Sequence, residues 1–130
     1  MIGVVVIADT GAALQRLSQV VEALPDVYII RYCSGRGPVR AATAAAAPDV
    51  VLVDEMRWPR MTLTRIADIA DGAPVVVCTS RPEARWLGDA LRAGARAVVP
   101  YSAGATTLRH VMRDVLAAGD DASTDAALAA

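Results

Sequence analysis

A chain of 130 residues, 55% of them hydrophobic, is long enough for one domain with a proper core, and it has neither an apolar run long enough to span a membrane nor the charged start of a secretion signal. A net charge of -1 offers no basic surface for gripping nucleic acid. All 13 basic residues are arginine, so lysine chemistry is absent throughout, and the expected setting is cytoplasmic.

In chain order, Ile2 to Ala8 reads as a strand buried on both faces, closed by Asp9 and Thr10. From Ala12 the apolar residues Leu14, Leu17, Val20, Val21 and Leu24 recur at helical spacing until Pro25 and Asp26. Val27 to Tyr32 is a more mixed strand, with Arg31 marking an exposed side, and suits a sheet edge. A loop from Ser34 to Pro38 leads into an alanine-rich helix. Pro48 to Pro59 is the stretch around which the rest is organised: an apolar run that ends abruptly on Asp54 and Glu55. At the carboxyl end of a parallel strand those carboxylates sit where open α/β sheets bind ligands. The same pair also reads as the start of a solvated loop.

Leu63, Ile66 and Ile69 give a third helix, ended by Gly72. Val75 to Cys78 forms a fourth strand that terminates in Thr79 and Ser80, and Pro82 to Ala93 a helix with Gly94 past its end. Arg96 to Val99 is a brief fifth strand, with Tyr101 taken to face the site from it. Leu108, Val111, Met112 and Val115 mark the inward stripe of a last helix running to about Ala118. Five repeats of strand then helix imply a five-stranded parallel sheet, doubly wound as (βα)5 and covered on both faces. If its strands take the flavodoxin/CheY-like order 2-1-3-4-5, Cys33 and Cys78 lie roughly 14 Å apart, beyond the about 7 Å that a disulfide allows, so two reduced, buried thiols are expected. His110 falls between core positions and should be solvated. Trp86 fits equally an interface anchor or a residue covering its own helix.

From about Val4 to Gly119 the chain resembles the receiver domains of two-component response regulators. Four features carry the resemblance together: the Ile7-Ala8-Asp9 strand end, the Pro48 to Asp54 strand followed by Pro59, the Pro74 to Ser80 strand, and Ala90-Leu91-Arg92-Ala93-Gly94-Ala95. The closing helix is similar to the NarL/FixJ-type subgroup, whose receivers precede a LuxR-type helix-turn-helix domain. The resemblance implies that Asp54 stands at the phosphoacceptor position and that Asp9, Asp54 and the Met56 carbonyl are candidate ligands of Mg²⁺. It also implies that the Thr79 hydroxyl contacts the phosphoryl group. A carboxylate attacks phosphorus only when the charge gathering on the transferred oxygens is neutralised.

Departures from the family pattern touch three separate jobs. Thr10 stands where the second acidic metal ligand belongs, which implies weak Mg²⁺ binding. Tyr101 stands where the family places a lysine that pairs with phosphoryl oxygens, and Val98 where it places a switch aromatic. The loop after Asp54 is one residue longer, with Trp58 inserted; Glu55 and Arg57 are the residues that would rescue metal and charge. The pocket comprises Asp9, Thr10, Glu55, Met56, Trp58, Thr79 and Tyr101. Trp58 and Tyr101 would either make it apolar enough for a small ligand or plug the space left by lysine.

These residues imply an atypical receiver, with impaired or absent phosphorylation, that controls a DNA-binding transcription regulator through dimerisation. One alternative is a conventional phosphorelay receiver, partnered by a histidine kinase and phosphorylated on Asp54. Another is a ligand-sensing module built on Asp9, Asp54, Trp58 and Tyr101. An enzyme is not expected, since no nucleophile with a paired base stands out. The domain is expected over residues 1–119, with 120–130 a linker or tail leading to a DNA-binding domain outside this chain. DNA contact would come only through that domain, and no membrane contact is expected.

Overall fold

The computed structural model describes residues 1–56, 59–81 and 83–119, apart from the side chains of Ala84 and Gly119. Arg57, Trp58, Pro82 and the expected tail from Asp120 lie outside the described residues. The element order is β1 (Ile2–Ala8), α1 (Gly11–Glu22), β2 (Val27–Ser34), α2 (Val39–Ala46), β3 (Val50–Asp54), α3 (Pro59–Ile69), β4 (Val75–Thr79), α4 (Ala84–Ala93) and β5 (Ala97–Pro100). A single 3₁₀ turn, Tyr101–Ala103, and α5 (Gly104–Gly119) complete it. All pairings are parallel and the strand order is 2-1-3-4-5.

Every residue of β1, β3 and β4 is buried, which is why these strands read as unbroken apolar runs rather than alternating ones. Successive residues serve opposite layers. Val4, Val6, Val50 and Leu52 pack with Leu17 and Val21 of α1 and with Leu108 and Met112 of α5. Val5, Ile7, Val51 and Val53 pack with Val39 of α2, Ile66 and Ile69 of α3 and Ala90 of α4. As its mixed sequence suggests, β2 is the sheet edge, where Tyr28, Ile30 and Tyr32 stay 40–48% exposed. Its register slips between Val4 and Val5, which pair with Ile29 and Arg31. Ile30 is the extra residue of a bulge there.

Several boundaries move. The second strand runs on to Ser34 and α3 starts at Pro59, while α4 starts at Ala84 rather than Pro82, and the fifth strand covers Ala97–Pro100. Tyr101 is not on β5: Pro100 closes the strand, and the phenol is carried by the 3₁₀ turn beyond it. Gly94 ends α4 with φ 120°, and a β-carbon there would stand 2.5 Å from Cβ of Ala70, so this turn requires glycine. Cys33 and Cys78 are buried free thiols, on strands separated by β1 and β3. Burial pushes the Cys78 thiol up to about 12. His110 is exposed, and Trp86 is half-buried against the layer of α2, α3 and α4.

Candidate functional site

The carboxyl ends of β1, β3 and β4 and the turn after β5 bring Asp9, Asp54, Glu55, Thr79 and Tyr101 to one edge of the sheet. A cavity of about 240 Å³ opens there, lined by Asp9, Thr10, Ala13, Arg16, Asp54 and Glu55 among others. Thr10 is the N-cap of α1: its hydroxyl accepts from the Ala13 N–H at 3.1 Å, satisfying one of the helix's unpaired donors. Capping aims the first turns of α1 at the strand ends, so that Ala13 and Arg16, three residues apart, share the face lining the cavity.

Asp54 is 1% exposed, and both of its described hydrogen-bonding partners use the same oxygen. Arg16 donates from Nη2 to Oδ1 at 3.0 Å, and the Tyr101 hydroxyl donates to that atom as well. The Arg16 guanidinium also lies over the Tyr101 ring, 4.4 Å from its centre, a cation–π contact that fixes the two donors relative to each other. Burial pushes the Asp54 carboxyl above its ordinary value, the Glu55 charge adds to that, and Tyr101 and Arg16 offset it only in part. Burial and the Asp54 charge drive the phenol far upward, so Tyr101 stays protonated and donates.

Glu55 turns toward the end of β4. Its carboxylate accepts from the Thr79 hydroxyl at 2.5 Å, from the Ser80 N–H at 2.6 Å and from the Ser80 hydroxyl. The Thr79 oxygen in turn accepts from the Arg81 N–H at 2.8 Å. Burial opposes ionisation of Glu55, but these bonds and the Arg81 charge outweigh it and hold the carboxyl below its ordinary value. Met56 is buried, its N–H bonded to Thr62 Oγ1 at 2.7 Å. Its thioether fills the space over Gly35, where a β-carbon would come within 2.4 Å of Cε. The Gly35 carbonyl accepts from Arg65 Nε at 2.6 Å.

The structure therefore gathers Asp9, Thr10, Asp54, Glu55 and Met56 at one cavity, with Tyr101 against Asp54 and Thr79 against Glu55. Trp58 and Arg57 lie outside the described residues. Sequence reasoning missed Arg16, the cation on Asp54, and Ser80, which closes around Glu55. Glu55, offered there only as a residue that would rescue a metal site, has its carboxylate engaged at the end of β4. The donor set suits Mg²⁺ poorly: one Asp54 oxygen carries two donors, an arginine occupies the rim, and the Thr10 oxygen serves the helix. Among the described residues no cluster of three or more His, Cys, Asp or Glu side chains could hold a metal.

The two carboxyls should respond to pH with opposite signs. Glu55, depressed from 4.5, contributes stability that is fully present above that value and is lost as pH falls through its lower folded value. Asp54, raised from 3.8, contributes stability that is present below that value and is lost as pH rises through its higher folded value. Urea unfolding from acid to neutral pH should show the advantage of wild type over Glu55→Gln shrinking as pH falls. Against Asp54→Asn, wild type should gain over the same descent. Parallel trends for the two variants would contradict the geometry.

No family model matches the chain. Protein-glutamate methylesterase/protein-glutamine glutaminase 1 of Chromobacterium violaceum is 33% identical over 105 residues, covering 75% of this chain and 28% of that protein. The chain thus spans little more than a quarter of the curated relative it matches. Among solved structures, the signal receiver domain of a modulated diguanylate cyclase from Desulfovibrio desulfuricans has a TM-score of 0.77 at 19% identity, covering 95% of this chain and 99% of that one. For the response regulator domain of Thermotoga maritima CheB the TM-score is 0.72 at 19% identity, with 89% and 96% covered. A LuxR-family two-component response regulator from Aurantimonas gives 0.78 at 17% identity, with 90% and 86% covered. No helix among the described residues is long and apolar enough to cross a membrane. With its strand order, its five covering helices and these neighbours, the chain has the receiver-domain fold of two-component response regulators.

Proposed function

We propose that this chain is an atypical receiver module of a transcription regulator, acting through protein contact and dimerisation rather than through phosphorylation of Asp54. The observation that carries this reading is the shared grip of Arg16 and Tyr101 on Asp54 Oδ1. A carboxylate that attacks phosphorus needs a cation placed on the incoming phosphoryl oxygens. Here the cation and the phenol are spent on the nucleophile itself. Thr10 supplies no second carboxylate, so Mg²⁺ has little to bind, and neither a histidine kinase nor a small phosphodonor finds a competent acceptor. Contact with DNA belongs to a further domain.

Intact-mass measurement after incubation with acetyl phosphate and Mg²⁺ tests the proposal. Only a minor fraction of molecules should gain a phosphoryl mass. A stoichiometric gain that vanishes in Asp54→Asn would overturn it in favour of a conventional phosphorelay receiver. Because an unmodified module has no phosphate-driven population shift, its assembly-competent state must already be populated. Sedimentation at micromolar concentration should accordingly show a homodimer without any phosphodonor.

A further inference from the structure

The described hydrogen-bond partners of Glu55 are donors from a single turn. Thr79, fully buried at the end of β4, has its hydroxyl oxygen fixed by the Arg81 N–H, which leaves its proton to point at Glu55 Oε2. Ser80 adds its backbone N–H and its hydroxyl on Oε1. Three donors converging on two oxygens, with the Arg81 charge nearby, form a receptor for an oxyanion, the kind of concavity that successive backbone and hydroxyl donors make. The oxyanion it holds belongs to the chain itself.

We propose that Glu55 is a tethered ligand of an oxyanion site made by Thr79, Ser80 and Arg81, and that it keeps the turn between β4 and α4 in its anion-bound shape without covalent modification. A carboxylate attached one residue beyond β3 competes at the high effective concentration of an intramolecular partner, so a free tetrahedral oxyanion such as phosphate is shut out. Removing the tether empties the site and makes it available to the free anion. Truncation also releases the turn, since its donors lose their acceptor and must turn to water. This inference deepens the proposed function and rests on it in one respect, namely that an unmodified module holds a fixed surface next to α4.

The test uses the whole chain and orthophosphate, which carries no transferable group and so reads the site separately from any modification of Asp54. In Glu55→Ala the Ser80 and Arg81 amides should exchange with solvent roughly tenfold or more faster than in wild type, as a turn without its hydrogen bonds does. Orthophosphate should then shift the Ser80 amide resonance saturably and slow its exchange, while leaving wild type unchanged. Glu55→Gln, which keeps the shape and loses the charge, should fall between the two and serves as the readable variant should the alanine variant fail to fold. Unchanged exchange at Val5 and Val6 of β1 would confirm that the fold is intact. Phosphate shifts in wild type as large as in Glu55→Ala, or Ser80 and Arg81 exchange equal in the two proteins, would overturn the proposal. Acetyl phosphate labelling of Asp54 with these amide results intact would instead overturn the proposed function alone.

Discussion

Tyr101→Phe is expected to lower the unfolding free energy by about 2 kcal/mol at neutral pH, the cost of a hydrogen bond taken from a buried charge. The phenol is one of two described donors on Asp54 Oδ1, and Asp54 is shut off from water. Arg16→Ala removes the other donor. The Arg16 side chain, however, is 49% exposed, so water already screens it and the loss should be smaller, about 1 kcal/mol. Since the guanidinium also lies on the Tyr101 ring, the two losses should not add. A double-mutant cycle in urea should return a coupling energy above about 0.5 kcal/mol, as residues sharing one network do. A Tyr101→Phe protein as stable as wild type would show that the phenol merely fills the space beside Asp54.

The fold was legible because burial on both faces leaves a plain mark on a sequence. The runs Val4 to Ile7, Val50 to Val53 and Val75 to Val77 are apolar at every position since two helical layers cover them, and the strand at the edge is mixed since little covers it. The positions of Asp9, Asp54 and Thr79 followed from the same pattern: each stands at, or one residue past, the last residue of a buried strand. What a carboxylate touches was not legible. Asp54 and Glu55 are chain neighbours, yet they face a cation and phenol in one case and a donor-rich turn in the other. That outcome depends on how α1 and the end of β4 are placed, and not on local sequence. Arg16 looked like any solvated residue beside Leu17, because nothing in α1 itself says that its outer face meets β3. Tyr101 was assigned to a strand that Pro100 had already closed. Trp86 is half-buried on the core, and its indole N–H is buried with no partner among the described residues.

Thr10→Asp combined with Tyr101→Lys is expected to raise phosphoryl labelling of Asp54. Aspartate caps a helix as well as threonine does, so α1 should keep its start while a second carboxylate joins Asp9 at the rim. That addition supplies the negative ligand that Mg²⁺ binding ordinarily requires. The lysine removes the phenol from Asp54 Oδ1 and puts an ammonium where it can pair with phosphoryl oxygens. Restoring one such charge-stabilising donor changes a rate by roughly 10²-fold in enzymes, and the acetyl phosphate labelling rate should rise by about that factor. Each single variant should fall short, Thr10→Asp because no ammonium faces the phosphoryl oxygens and Tyr101→Lys because the metal site stays thin. Adding Arg16→Ala should raise labelling again, since the guanidinium that remains on Oδ1 still competes with the incoming phosphorus. A double variant that folds, binds Mg²⁺ and yet gains no more mass than wild type would place the block elsewhere. Glu55 would then be the next residue to change, since its carboxylate already holds Thr79 and Ser80 where an arriving phosphoryl group would need them.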